Sequence, residues 1–371
     1  LTGRGAGLAG AIERSSNMLD SAFRQWLDAN AEAIDQGDYD PQHVLAHIAD
    51  SQLLRIGVAP SLGGAGGDTG EAVEAIAAIA SRSLASAFVC WGQRAFIEYL
   101  LHSPNQALRE RLLPDLLSGA LAGATGFSNA MKYLSDIESL QLRASAEPDG
   151  WSLQGRLHWV TNLRKGNFVV AAAIEAAEDG APFVLAIPSD AQGLERSDDL
   201  LLMGLQSSNT AALAFHDVKL GRQWLLHDNA RQFLPQVRPA FLALQCGMAI
   251  GLARRALDET QWHLQGRASF IEQAQRVLAD RLENTVGELK RGLADGRFLE
   301  RPAALFKLRI ILAECAADAV QFELQASGGK AYLSAYGEGF ARRWRESAFV
   351  PIVTPSLVQL RAELHRQAGT A

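Results

Sequence analysis

Trp159 and Thr161 are the residues whose types and spacing first suggest chemistry in this chain. They lie in Gly150–Asn162, GWSLQGRLHWVTN, where Trp151, Leu153, Leu157 and Trp159 fall on alternate positions and Thr161 continues the same face. That is the period of a half-buried strand. A large aromatic ring and a hydroxyl thus emerge side by side, as groups able to contact a ligand. Pattern alone favours packing, because aromatic and β-branched residues are common in strands. Other spacings exclude whole chemistries. Cys90, Cys246 and Cys315 are far apart and within predicted helices, so they form neither a metal-ligand spacing nor a disulfide framework and read as reduced, buried thiols. The run Gly57–Gly67, GVAPSLGGAGG, has no closing Gly-Lys-Ser/Thr and is a loop between helices, not a phosphate-binding Walker loop. Gln325-Ala326-Ser327-Gly328-Gly329 ends a helical run, where Gly takes positive φ without penalty.

These residues need elements to hold them. The chain has 371 residues, 48% hydrophobic and 20% charged, an ordinary composition for a globular protein of two or three domains. A net charge of -6 gives no electrostatic case for nucleic acid. No apolar run reaches the roughly 18 residues of a membrane span, and the opening LTGRGAGLAGAIERSSN lacks an apolar signal core. A cytoplasmic protein without membrane contact is expected.

The reading is α+β in three domains. Residues 1–122 predict an N-terminal helical domain, with Leu19, Phe23, Trp26 and Leu27 at helical spacing and two small-residue-rich helices over 71–101 and 106–118. Gln93 and Arg94 are expected on a solvated face of the first of these. Residues 123–232 predict a small, mostly antiparallel β-domain that starts at Gly123–Asn129 and continues through strands at Phe168–Ile174, Phe183–Ile187 and Ala211–Val218. Its centre is a hairpin, because Pro148-Asp149-Gly150 is a turn signal between the Leu140-Leu142-Ala144 run and the Trp159 strand. Residues 233–371 predict a C-terminal antiparallel helical bundle: a helix at Val237–His263, an amphipathic helix from Phe270 to Leu293, and one opening at Pro302, a favourable first helical position.

Gly155-Arg156-Leu157-His158-Trp159-Val160-Thr161-Asn162 resembles the flavin-contacting segment of the acyl-CoA dehydrogenase family, usually Gly-x-Lys-x-Trp-Ile-Thr-Asn. The glycine loop at 57–67 is similar to that family's Gly-Val-Pro-x-x-x-Gly-Gly-x-Gly turn. The 325–332 stretch resembles its Gln-x-x-Gly-Gly-x-Gly-Tyr motif, with Ala331 in place of the last Gly. The helices, β, helices order is also the family's. The resemblance implies FAD, with Trp159 against the isoalloxazine ring and Thr161 near its reactive nitrogen. Ser128 falls on the Thr of the family's Thr-Glu-Pro, while Asn129 and Ala130 replace Glu and Pro. Phe127 and Ser356 join the implied flavin contacts. Gln325, Gly328 and Gly329 would approach the adenine and diphosphate of FAD held by a neighbouring copy, which implies a dimer or, by likeness, a homotetramer.

The likeness breaks at the catalytic base. The family's Tyr-Glu-Gly-Thr segment follows an Arg-Asp pair, but here Arg345-Glu346 is followed by Pro351-Ile352-Val353-Thr354-Pro355-Ser356. Val353 or Thr354 stands at the Glu position, and neither is a carboxylate. A minority of the family carries the Glu near the position of Phe241, and Val237–Gly251 holds no acidic residue. The usual Arg-x-x-Phe-Gly turn is also shortened, to Gln265-Gly266-Arg267-Ala268-Ser269-Phe270.

Three functions follow from the resemblance. The first is an FAD oxidoreductase dehydrogenating an acyl thioester, with Thr354 at the base position. The second is an oxygen-using monooxygenase of the same fold, which needs no α-proton base and in which His158 and Ser128 are candidates near the flavin. The third is a non-catalytic relative. Expected partners are a small-molecule substrate and an electron acceptor or oxygen.

Overall fold

The computed structural model describes residues 18–176, 180–264, 269–335 and 337–369. The N-terminal part is helical: α1 (Ser21–Gln36), α2 (Pro41–Asp50), α3 (Thr69–Ala80), α4 (Leu84–His102) and α5 (Gln106–Leu117). Local chemistry sets the ends. Asp20 accepts from the Phe23 amide at 2.8 Å, and Asp68 with Glu71 forms a reciprocal capping box. The single helix expected over 71–101 is two, because the chain turns at Ser81–Ser83 and the Ser83 hydroxyl accepts from the Ser86 amide. Gln93 and Arg94 are buried, not solvated. Gln93 donates to the Leu116 and Leu121 carbonyls at 2.8 and 2.9 Å, and Arg94 pairs with Glu98 at 2.6 Å. Gln93 is satisfied in this way, whereas Nε and Nη1 of Arg94 are buried without a hydrogen-bond partner among the described residues.

The middle part is one sheet of eight strands: β1 (Ala122–Thr125), β2 (Leu142–Glu147), β3 (Gly150–Val160), β4 (Phe168–Ala176), β5 (Phe183–Pro188), β6 (Leu194–Arg196), β7 (Ala211–Gly221) and β8 (Leu225–His227), in the order β6-β7-β3-β2-β4-β5-β8 with β1 beside β4. The β2–β3 hairpin pairs Leu142 with Gly155 and Glu147 with Gly150, as the turn signal predicts. The sheet is mixed, because β4 runs parallel to β1 and β2. The entry segment also differs from expectation. After Thr125 the chain turns into helix α6 (Phe127–Leu134), so Ser128 and Asn129 lie on a helix.

The C-terminal part comprises α7 (Ala230–Leu264), α8 (Ser269–Ala294), α9 (Pro302–Ser327), α10 (Glu338–Phe349) and α11 (Leu357–Gly369), with a short turn of helix at Arg297–Glu300. By length and composition α7 could cross a bilayer, but 94% of its most apolar window is buried inside the protein, as in a core helix. Gly247 and Gly251 let α7 lie against α3: a Cβ at Gly251 would come within 2.1 Å of the Ala77 carbonyl. The three cysteines are free and buried, and burial pushes the Cys90 and Cys246 thiols up to about 12 and that of Cys315 to about 11.

Candidate functional site

Where the three parts meet, a cavity of about 440 Å³ opens, within the range of small-molecule sites. Ser128 from α6, Trp159 and Thr161 from the end of β3, and Thr354 and Ser356 from the turn before α11 all line it. Three segments far apart in sequence thus bring five predicted site residues to one place.

Trp159 reaches the cavity by a departure from the strand pattern. Its φ is +59°, and the β3–β7 register slips between Leu157 and Val160. The bulge turns the indole outward, so that 65% of the residue is exposed at the rim. Thr161, two residues on, is buried. The two therefore do not share one strand face as alternation predicts, yet both border the cavity. Thr161 Oγ1 donates to the Ser208 carbonyl at 3.1 Å and accepts from Thr210 Oγ1 at 3.1 Å.

One wall is aromatic. Phe88 stacks on Trp91 with ring centres 5.5 Å apart, meets Phe349 at 4.8 Å, and Trp91 meets Phe241 at 5.2 Å. The Trp91 indole N–H donates to the Phe241 carbonyl at 3.2 Å, so its polar atom is satisfied away from water. Leu202, Met203 and Leu205 line the cavity from the β6–β7 connection. That connection is tied to the N-terminal helices by Asp35, which accepts from the Leu205 amide at 2.8 Å and from Arg345 at 2.9 Å. Burial raises the Asp35 pKa, against the lowering effect of those two partners.

The charged side chains that line the cavity are Lys132 and Arg345, and no carboxylate lines it among the described residues. Both cations are engaged, Lys132 with Glu138 at 3.2 Å and Arg345 with Glu32 at 2.6 Å and Asp35 at 2.8 Å. Behind the wall, fully buried Arg309 donates to Gln245 Oε1 at 2.9 Å and to the Val350 carbonyl at 2.7 Å, and Gln245 donates to the Thr354 carbonyl at 3.0 Å. Burial lowers the Arg309 pKa. Glu346, next to Arg345 in the expected Arg-Asp position, is buried and accepts from the Leu84 amide at 2.9 Å; burial raises its pKa.

The remaining predicted residues sit elsewhere. Phe127 turns into the core and stacks on Tyr99 with ring centres 4.2 Å apart, and it is not among the lining side chains. His158 is exposed on β3. Asn129, in place of the usual Glu, knits the 138–141 loop: it donates to Glu138 and the Ser139 carbonyl at 2.8 and 2.9 Å and accepts from the Gln141 amide at 2.9 Å. Ser356 also starts α11, since it and Gln359 cap each other's amides at 3.3 and 2.8 Å, a Ser-x-x-Gln signal legible in the sequence but not read there.

Gln325 at the end of α9 and Gly328 and Gly329 in the short helical turn that follows it lie on the surface of this single chain, and none of them lines the cavity. Gly328 has φ +59°, and a Cβ on Gly328 or Gly329 would meet nothing within 4 Å. A second cavity of about 480 Å³ adjoins this turn at Ser327, Lys330 and Ala331, with Trp262, Arg255 and Arg343 among its walls. Arg267 and its neighbours at 265–268 lie outside the described residues. Lys132, one turn along the helix from Ser128, was not read from the sequence, nor were Thr210, Gln245 and the aromatic wall, which long-range packing brings here.

Residues 14–120 match the acyl-CoA dehydrogenase N-terminal domain. Isovaleryl-CoA dehydrogenase, mitochondrial, of Pongo abelii is 25% identical over 66% of this chain and 61% of its own length. The probable acyl-CoA dehydrogenase YngJ of Bacillus subtilis (strain 168) is 27% identical over 64% of this chain and 66% of its own. The matched region therefore spans just under two thirds of these relatives at most. Among solved structures, glutaryl-coenzyme A dehydrogenase in its glutaryl-CoA complex has a similar fold, with a TM-score of 0.83, 17% identity and coverage of 98% of this chain and 95% of that one. KijD3, in complex with FMN and dTDP-3-amino-2,3,6-trideoxy-4-keto-3-methyl-D-glucose, gives a TM-score of 0.79, 19% identity and coverage of 97% and 94%. The chain thus matches the acyl-CoA dehydrogenase N-terminal domain over residues 14–120, and its fold is that of solved acyl-CoA dehydrogenases.

Proposed function

We propose that the protein is an FAD-dependent oxidoreductase that acts on an acyl thioester without a carboxylate base at the family position. The observation that carries this reading is the convergence of Ser128, Trp159, Thr161, Thr354 and Ser356 on one cavity of about 440 Å³. These residues suit a flavin. The exposed indole of Trp159 offers a flat apolar face to a ring system, and the hydroxyls of Ser128, Thr161 and Thr210 offer hydrogen bonds at the same wall.

When bound, FAD supplies the capacity to take two electrons from the substrate. The protein's own part is positioning and exclusion of water. Trp159 and Thr161 would hold the ring, while Phe88, Trp91, Phe241 and Phe349 give the cavity an apolar wall. The Gln245 and Arg309 hydrogen bonds fix the 350–354 turn against it. Thr354 Oγ1 cannot hold a substrate proton as a carboxylate does near neutral pH, so the proton next to the carbonyl needs a base elsewhere in the site or on the substrate itself.

A second reading has its own observation. The absence of a carboxylate among the described lining residues suits an oxygen-using flavin enzyme acting on something other than a thioester, since that chemistry needs no base at position 354. KijD3, of the same fold, is a flavin-bound protein whose complex contains a sugar nucleotide.

A homo-oligomer belongs to the first reading. The open space over Gly328 and Gly329 and the exposed side chains of Tyr332, Leu333 and Trp262 support a covering copy at that turn. The protein is further proposed to work in the cytoplasm.

The test is to denature protein prepared with supplemented flavin, identify what it releases, and mix the loaded protein anaerobically with acyl-CoAs of several chain lengths. Release of FAD and bleaching of its colour by one of them are expected. No released flavin would refute the cofactor, and release without bleaching would favour the second reading.

A further inference from the structure

The second cavity, of about 480 Å³, opens where α1, the Ser81–Ser83 turn, α7, the end of α9 and α10 meet, and it shares no lining residue with the first. The two differ in chemistry. The first has an aromatic wall, whereas the second is lined by five cationic side chains, Arg82, Arg255, Lys330, Arg342 and Arg343, and by three carboxylates, Asp28, Glu259 and Glu323. Each carboxylate is already taken. Glu323 holds buried Arg343 through both oxygens, one of them accepting from Nε at 2.8 Å. Glu259 accepts from Arg255, and Asp28 accepts from Arg82 Nη1 at 3.0 and 3.2 Å.

These pairs use the acidic groups of the wall one to one, and Arg342 and Lys330 are left over. Arg342 Nη2 donates to the Arg82 carbonyl at 3.0 Å, while its Nε is buried with no hydrogen-bond partner among the described residues. Two carboxylates stand behind it, Glu346 at 3.4 Å and Glu32 at 3.8 Å. Both serve other donors, since Glu346 accepts from the Leu84 amide and Glu32 from Arg345. The Lys330 side chain is exposed and makes no hydrogen bond or ion pair among the described residues. Cations that line a partly enclosed space raise its potential, and a guanidinium matches the oxygens of a phosphate in geometry as well as in charge. Trp262 and Phe340 complete the wall with aromatic faces. The volume lies in the range of small-molecule sites, which leaves room for a ring beside the anion.

We propose that the second cavity binds an aromatic phosphate monoester, with Arg342 and Lys330 on the phosphate and Trp262 beside the ring. The ligand comes from solution and is not the proposed cofactor. Gln325, Gly328 and Gly329, whose motif implies contact with FAD of a neighbouring copy, do not line this cavity. The inference goes beyond the flavin reading and stands or falls apart from it.

The measurement is calorimetric titration of phenyl phosphate, inorganic phosphate and phenol, each at constant ionic strength, into the full chain with and without FAD. Phenyl phosphate should bind one per chain and more tightly than phosphate, with phenol weakest. Lys330→Gln should weaken phenyl phosphate by about twofold to fivefold, the range of an exposed ion pair. Arg342→Gln should weaken it by about tenfold or more, as for a hydrogen bond to a charged group, and Arg342→Lys should recover part of that loss. Trp262→Ala should bring phenyl phosphate down toward phosphate, a change of about twofold to tenfold. The Arg342 variants can disturb packing through the lost bond to the Arg82 carbonyl. Lys330→Gln breaks no such bond, so it decides the matter if they do not fold. Phenyl phosphate that binds no better than phenol, or equally to wild type and Lys330→Gln, would overturn the inference. Binding abolished by FAD would also overturn it, because the site would then belong to the cofactor. Protein that holds no FAD but binds phenyl phosphate as described would overturn the flavin reading alone.

Discussion

Gln245 on α7 donates a hydrogen bond of 3.0 Å to the backbone carbonyl of Thr354, so the residue at the expected base position is held to the cavity wall through its main chain and not through its side chain. A side chain at 354 can therefore be exchanged without breaking the contact that places it. The wall behind it is stiffened by Arg309, which reaches both Gln245 and the Val350 carbonyl.

Thr354→Glu and, separately, Val353→Glu should create or raise acyl-CoA dehydrogenase activity. General-base catalysis contributes about 100-fold to 10,000-fold. The measurement is anaerobic bleaching of FAD-loaded wild type and both variants by several acyl-CoA chain lengths. Ready bleaching by the wild type would show that a base exists elsewhere, and no bleaching by any of the three would count against the thioester pose.

The Trp159 strand, its hairpin and the long C-terminal helices were legible in the sequence because each rests on short-range regularity: alternation, a Pro-Asp-Gly turn, helical spacing. The outward turn of Trp159 was not, since a bulge shifts the register without changing the residue types that signal a strand. Polarity misled at Gln93 and Arg94. The partners of Gln93 include the Leu116, Leu121 and Asn162 groups, which lie 23, 28 and 69 residues away, and no local pattern reports such a bond; Arg94 pairs with Glu98 one turn along its own helix, a spacing that a surface pair would share. The break at Ser81–Ser83 is hidden by continuous Ala-rich helix formers on both sides. Of the candidate site, the residues carried by motifs were readable, whereas Phe88, Phe349 and Thr210 belong to it through tertiary packing alone.

Glu346→Gln should change the pH dependence of stability. Burial raises the native pKa of Glu346, so between the unfolded value of about 4.3 and the raised native value the native state binds more protons, and stability falls as pH rises. The variant lacks this term and its amide oxygen can still accept from Leu84. Relative to wild type, Glu346→Gln should gain stability as pH is taken from 4 to 7 in urea unfolding. A constant difference across that range would mean that Glu346 titrates alike in the folded and unfolded chain.

Gly329→Leu tests the covering copy. In the single chain a Cβ at this position meets nothing within 4 Å, so the unfolding midpoint of an isolated subunit should hardly move. Where a second copy packs on the turn, light scattering should show a smaller assembly than wild type and flavin should be lost more readily. A wild-type monomer that retains flavin would remove the case for an oligomer.

The central claim is that the cavity beside Trp159 holds the flavin, and titration of FAD into flavin-stripped wild type and Trp159→Ala tests it most directly. An aromatic ring contact of this kind contributes on the order of 1 kcal/mol or more beyond area burial, so Kd for the variant should rise by about fivefold or more while its fold, followed by circular dichroism, stays unchanged. Equal affinity in the two proteins, or no binding by the wild type, would contradict the account.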